Sequence, residues 1–160
     1  MATHYVIARY NEDISWADDL DKTVIQKGVD MPNLGREASS YLLFIVNNYE
    51  KLNGQYYFLQ GNPFEHGYPD KKFTRTSSPT ENPQHTSAKE KLHLHWLCDK
   101  LMLPIKPNYK YIVGANFLVT AEELKQYTYK WYVNAFNLSL QHRVAWELER
   151  LWLTIYPNSL

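Results

Sequence analysis

The sequence predicts an α/β fold, a single domain over residues 1–160 in which helices flank a mixed, largely parallel sheet. Segments 4–10, 23–27 and 55–59 are short and apolar or aromatic, as strands are. Helix-like segments separate them, and the resulting β-α-β-α-β order favours parallel pairing. A chain of 160 residues with 44% apolar side chains is long enough to bury one hydrophobic core.

The first strand has a clear end. Strand 4–10 stops at the polar run 11–13. Ser15 followed by Asp18 resembles a capping box, which predicts a short helix directly after this run.

The stretch 31–66 is predicted to hold a helix, a tight turn and a buried strand. Asn33 can cap the helix, and Asn53-Gly54 is a strong turn signal before strand 55–59. One face of the helix is expected to pack, because apolar residues recur there at helical spacing: Tyr41, Leu42, Ile45 and Tyr49.

Segment 67–87 is polar and rich in Pro, Ser and Thr, which predicts a mobile loop. Two readings of this loop are open, a lid over a site and simple disorder. Segment 88–101 is predicted to be helical, with Cys98 as a small buried residue.

Segment 111–119 is predicted to be the next strand, with the small residues Gly114 and Ala115 in its middle. Small residues there allow a ligand to approach the backbone, and a bulge explains them equally well. A capping box at 120–123 opens a helix, and apolar spacing over 129–140 predicts another.

The last predicted helix, 142–156, carries a carboxylate, Glu149, inside its apolar face. A carboxylate there needs a partner, a metal or a proton. Either Glu149 pairs with Arg36 or Arg150 and holds the helix in place, or it faces a cleft. Glu147 lies at the edge of the face and is predicted to be solvated.

Composition excludes several classes of protein. The chain has 17 basic and 17 acidic residues, so no net charge draws it to nucleic acid or to acidic membranes. One cysteine excludes a disulfide framework. Without a signal-peptide pattern or an apolar run of transmembrane length, the expected location is the cytoplasm.

Clusters of polar side chains follow the first and third predicted strands. Ligands of open α/β sheets bind at the carboxyl ends of such strands, so these clusters are expected to form one cleft. Their carboxylate, amide and imidazole groups suit a divalent cation such as Mn²⁺ or Mg²⁺, and equally suit hydrogen bonds to sugar hydroxyls. The residues are Asn11, Glu12, Asp13, Gln60, Asn62, Glu65 and His66.

Several common catalytic motifs are missing from the sequence. It has no P-loop, no GxGxxG nucleotide fingerprint, no zinc-ligand pair and no GxSxG nucleophile elbow. His93 and His95 are two residues apart, so a helix would point them in different directions. They are interpreted as surface or packing residues.

Five segments, spread over nearly the whole chain, resemble an uncharacterised family of small glycosyltransferase-like proteins found in bacteria, fungi and large viruses. The segments are 6–16, 32–42, 58–66, 114–119 and 148–152. The resemblance implies a reduced GT-A glycosyltransferase fold that takes a nucleotide-sugar donor, in the first place a UDP-sugar, and transfers the sugar to an acceptor hydroxyl.

The resemblance also implies roles for the residues that carry it. Donor binding falls to Tyr10, Asn11, Glu12, Arg36, Gly114 and Ala115, and metal or sugar binding to Gln60, Asn62, Glu65 and His66. Glu149 is the candidate catalytic base. GT-A enzymes usually hold a divalent metal with an Asp-x-Asp motif, whereas this chain has Gln60-Gly61-Asn62 there, and an amide is a weaker ligand than a carboxylate.

Two other interpretations are kept open. One is a glycosyltransferase acting on modified bases of viral DNA, favoured by the local basic residues Lys71, Lys72 and Arg75 but opposed by the neutral overall charge. The other is a non-catalytic carbohydrate-binding or nucleotide-sugar-binding module that has lost its metal. Acceptor recognition in so short a chain is expected to use a homo-oligomer or the 67–87 loop.

Overall fold

The structure is a computed structural model that describes residues 2–64, 80–81, 93–111 and 114–159. These residues form an α/β fold in which helices flank a four-stranded mixed sheet. The strands are β1 (Thr3–Arg9), β2 (Lys22–Gln26), β3 (Gln55–Gln60), β4 (Thr80–Glu81), β5 (Tyr109–Lys110) and β6 (Phe117–Thr120). The helices are α1 (Arg36–Asn48), α2 (Leu94–Lys100), α3 (Ala121–Leu124), α4 (Tyr129–Ser139) and α5 (His142–Ile155).

The main sheet has the strand order β2-β1-β3-β6. β1 is parallel to both of its neighbours, with Val6 opposite Thr23 on one side and Phe58 on the other. β6 runs antiparallel to β3. The prediction of a largely parallel sheet is therefore confirmed, and the carboxyl ends of β1, β2 and β3 lie along one edge.

Helix α1 lies between the sheet and helices α4 and α5, and its predicted apolar face is confirmed. Tyr41 is fully buried there, and its ring is 5.2 Å from that of Phe58 and 6.2 Å from that of Trp152. The apolar face of α5 is buried as well, as its spacing predicts. The core thus joins the sheet to the last helix through aromatic rings in contact.

Two predicted helix starts are wrong. Gly35, not Asn33, is the N-cap of α1, and it has a left-handed φ of 74°. A Cβ on this glycine would lie 2.4 Å from the carbonyl oxygen of Ser139, so only glycine fits.

The capping box predicted at Ser15 is absent. The Ser15 amide instead donates to Asp13 Oδ1 (2.9 Å), and a single 3₁₀ turn, Ser15–Ala17, follows.

The predicted strand 111–119 is also wrong at Gly114 and Ala115, while residues 112–113 lie outside the described residues. Gly114 (φ 93°) and Ala115 (φ 55°) adopt left-handed conformations that an extended strand cannot contain, so β6 begins only at Phe117. The next prediction is confirmed: in the capping box at 120–123, Thr120 Oγ1 accepts from the Glu123 amide and Glu123 Oε2 accepts from the Thr120 amide.

Glu147 is wrongly predicted to be solvated, since its side chain is 0% exposed. Arg143 Nε donates to it at 2.8 Å, and the backbone amide of His93 donates at 2.9 Å. These two donors satisfy the buried carboxylate, although burial still raises its pKa.

Most of the predicted loop 67–87 lies outside the described residues, as does the first part of the predicted helix 88–101. The described part of that helix is α2, and Cys98 in it is buried as predicted, with its thiol against the hydroxyl of Tyr109. Among the helices of the described ranges, none combines the length and the apolar character needed to cross a membrane.

Candidate functional site

A cleft of about 430 Å³ lies at the carboxyl ends of β1 and β3, next to the start of α1. Its volume is in the usual range for a small-molecule site. Sequence reasoning placed five of its lining residues in a site: Tyr10, Glu12, Arg36, Gln60 and Asn62. The cleft therefore lies at the carboxyl ends of the strands, where α/β sheets usually bind their ligands.

Glu12 joins the ends of the two strands. Its Oε2 accepts a hydrogen bond from the Tyr10 amide at 2.7 Å, and its backbone oxygen accepts one from Arg9 Nε at 2.8 Å. A Cβ on Gly61 would lie 2.7 Å from the same carboxylate oxygen. The carboxylate therefore lies directly across the backbone that follows β3, and a side chain at position 61 would have to displace it.

Lys27, just after β2, is a cleft residue that is only 5% exposed. Its ammonium group donates to the carbonyl oxygen of Leu34 and to the hydroxyl of Ser39. Burial lowers the pKa of Lys27 to about 8, against the opposing effect of the negative charge of Glu37. This lysine thus ties β2 to the segment that leads into α1.

Glu37 lies in the first turn of α1, lines the cleft and is 8% exposed. Its Oε2 is 3.7 Å from Arg36 Nε. Burial is the main cause that raises the pKa of Glu37 to about 7, and the negative charge of Glu149 adds to it. Its own backbone amide and the charges of Arg36 and Lys27 oppose the rise.

Arg36 begins α1 with a left-handed φ of 48°, and its guanidinium group lies 4.6 Å from the ring centre of Trp146 on α5. This cation–π contact orients a half-exposed arginine at the cleft. Arg9 and Lys27 line the same cleft. Together with the positive dipole end of α1, these cations outnumber the described lining carboxylates, Glu12 and Glu37, so the cleft favours anions.

Other predicted site residues do not line this cleft. Asn11 is exposed outside it. Gly114 lies against α5, where its amide is 3.5 Å from Glu149 Oε1, and Ala115 beside it is buried. Glu65 and His66 lie outside the described residues.

Glu149 itself lies behind the cleft wall, with a side chain that is 15% exposed. Of the two arginine partners predicted for it, Arg150 is within ion-pair distance, with Nη1 3.8 Å from Glu149 Oε2. Its negative charge acts on Glu37 and helps to raise the pKa of that carboxyl.

The described residues of the cleft do not by themselves fit a divalent cation. Glu12 already accepts a backbone amide, and its neighbours Gln60 and Asn62 are amides rather than carboxylates. Within the described ranges, no three or more His, Cys, Asp or Glu residues are grouped so that they could hold a metal. Three cationic side chains in the same cleft fit an anion better.

Sequence reasoning missed Arg9, Lys27, Asn33 and Glu37 as lining residues. The strand-end rule could have found Lys27, because it ends the second predicted strand. Nothing local marks Glu37, since an acidic residue in the first turn of a helix is ordinarily explained by the helix dipole.

No protein-family model, curated protein or solved structure matches this chain.

Proposed function

We propose that this chain is a glycosyltransferase of the GT-A type, which takes a sugar from a nucleotide-sugar donor and transfers it to an acceptor hydroxyl. The observation that carries the proposal is the cation-lined cleft at the carboxyl ends of parallel strands. A nucleoside diphosphate is a ligand with the charge and the size class that such a cleft accepts. A UDP-sugar is the donor to test first.

In this reaction the acceptor oxygen forms a bond to the anomeric carbon, and the bond from that carbon to the diphosphate oxygen breaks. The electron pair leaves with the diphosphate, so negative charge grows on the leaving group. Arg9, Lys27 and Arg36 are positioned to stabilise this charge, since all three line the cleft. The start of α1 adds its dipole.

The sugar and the nucleobase of the donor need different contacts from its phosphates. Gln60 and Asn62 carry amide groups that can both donate and accept hydrogen bonds from sugar hydroxyls. Tyr10 is 53% exposed at the edge of the cleft, so its ring is open to stacking against a nucleobase. Glu12 fixes the backbone at Tyr10 by accepting its amide hydrogen bond.

The acceptor hydroxyl loses its proton during transfer, and we keep Glu149 as the proposed base. Its side chain is 15% exposed, and its charge acts on Glu37, the carboxyl that lines the cleft. The described donor set supports no step through a metal, so the charge of the leaving group is assigned to the three cations alone.

Calorimetry with UDP, ADP and GDP, each with and without manganese, tests the proposal. At least one diphosphate should bind, and Arg36→Ala should weaken it about 10- to 100-fold, the usual effect of losing a hydrogen bond to a charged group. Lys125→Ala, which removes an exposed cation outside the cleft, is the matched control. If none of these diphosphates binds under either condition, the proposal is wrong.

Donor hydrolysis separates an enzyme from a binding module that has kept the fold. A transferase usually releases some sugar to water, and a non-catalytic module does not. Binding of UDP-sugar without any hydrolysis over many hours would favour the binding module.

A further inference from the structure

Glu37 is surrounded by charges of both signs from several elements. Arg36 comes from its own helix, with Nε 3.7 Å from the carboxylate, and Lys27 comes from the end of β2. Glu149 faces it from α5, and Arg9 lines the same cleft from β1. A buried carboxyl therefore sits inside an anion-binding cleft, where an ionised carboxylate would repel the ligand.

We propose that Glu37 is a phosphate-recognition residue that works in its protonated form: its carboxyl group donates a hydrogen bond to a phosphate oxygen, and the diphosphate binds together with one proton. This inference rests on the proposed function, because it names how the same cleft recognises its ligand. The proton comes from solvent onto the Glu37 carboxylate when the diphosphate enters. It returns to solvent when the diphosphate leaves.

The direction of this linkage follows from electrostatics. The negative charge of Glu149 already raises the pKa of Glu37, and a diphosphate in the cleft adds negative charge and excludes water. Both effects favour the neutral carboxylic acid. A protonated carboxyl is also a donor, whereas an ionised one only accepts, and phosphate oxygens need donors.

Lys27 could take up a proton for a related reason, because an anion nearby favours its charged form. With a pKa of about 8, however, it is already mostly protonated at pH 7. Glu37, with a pKa of about 7, is then half ionised. A measurement at pH 7 therefore reports mainly on Glu37.

Glutamine at position 37 gives a sharp test, because its amide can donate the same hydrogen bond without taking up a proton. Glu37→Gln should bind UDP at pH 8 at least as tightly as the wild type. Its affinity should fall less than that of the wild type between pH 6.5 and 8, because of these two groups only Lys27 then loses its proton. Glu37→Ala has no donor and should bind about 10-fold more weakly than Glu37→Gln.

The experiment is calorimetry at pH 7 in two buffers of different ionisation enthalpy, with UDP and with inorganic pyrophosphate as probes. Wild type should take up about half a proton more than Glu37→Gln, a difference that cancels any contribution from the ligand itself. Glu50→Gln, which removes an exposed carboxylate outside the cleft, should keep the uptake. Circular dichroism confirms that each variant is folded.

The outcomes separate the two proposals. If UDP binds and proton uptake is equal in wild type and Glu37→Gln, the role of Glu37 is wrong and the proposed function stands. If none of UDP, ADP, GDP and pyrophosphate binds, both proposals fail. Glu149→Gln provides a second test. Without the negative charge of Glu149, the pKa of Glu37 should fall, so the pH dependence of UDP binding should shift to lower pH. An unshifted pH dependence would contradict the proposed role of Glu37.

Discussion

The stability of the folded chain should depend on pH through Glu37, and replacing this residue by glutamine should remove that dependence. The unfolded chain ionises Glu37 near its ordinary pKa of 4.5, but the folded chain only near 7. Below pH 4.5 both states hold the proton, so the carboxyl does not affect the free energy of unfolding. Between these values the folded state holds a proton that the unfolded state has lost, and stability falls as pH rises.

The size of this effect follows from the difference between the two pKa values. Relative to low pH, the difference between the two pKa values lowers the free energy of unfolding by on the order of 3 kcal/mol above pH 7 and by about 1 kcal/mol at pH 5. Glu37→Gln has no charge to bury, so it should be more stable than wild type at pH 7.5. Losing the attraction to Lys27 offsets part of the gain.

Thermal unfolding followed by circular dichroism at pH 5 and pH 7.5 measures the difference. A domain of this size shifts its Tm by about 2–4 °C per kcal/mol, so Glu37→Gln should melt several degrees higher than wild type at pH 7.5. The depressed pKa of Lys27 makes stability rise with pH between about 8 and 10.5, where the unfolded chain still holds a proton that the folded chain has lost, so its contribution changes little between pH 5 and 7.5. Glu50→Gln, at an exposed position, is the control. A variant that melts at or below wild type at pH 7.5 would refute the reasoning.

Three further substitutions test other parts of the structure. Glu147→Ala should lower the free energy of unfolding by about 2–3 kcal/mol, below the usual loss for a buried pair because Arg143 keeps some access to water; an unchanged urea midpoint would contradict it. Asn62→Asp should weaken UDP binding in the absence of metal, and manganese should restore the affinity if the new carboxylate becomes a metal ligand. If the affinity for UDP is unchanged by the substitution, with and without manganese, position 62 is not part of the site. Glu149→Gln should leave folding nearly intact and reduce donor turnover by roughly 100-fold or more; a stable, fully active variant would exclude Glu149 as the base.

The parts of the fold that depend on local pattern were predictable. Strands β1, β2 and β3 and helices α4 and α5 follow from apolar spacing, because burial of one face selects that spacing. The same sheet order then places Tyr10, Glu12, Gln60 and Asn62 at one edge. The order of the strands alone predicts that these residues lie together, without any knowledge of side-chain packing.

The parts that depend on tertiary contact were not predictable. Asn33 is a good helix cap by type, yet Gly35 takes that place because α4 ends against it. Glu147 and Glu149 lie two residues apart on one helix, and the donors that satisfy the buried Glu147, Arg143 and the distant His93 amide, are brought to it by the tertiary fold. The importance of Glu37 likewise arises from its neighbours rather than from its own position in the sequence.

The close approach of Gly35 to the Ser139 carbonyl has a consequence for how this protein could be altered. The start of α1 forms one wall of the cleft, and the end of α4 touches its cap without space for a methyl group. Any change that moves the end of α4, in residues that never touch a ligand, must therefore move Arg36 and Glu37 as well. A search for variants with altered ligand selectivity should include the junction between α4 and α5, residues 139–142, alongside the cleft.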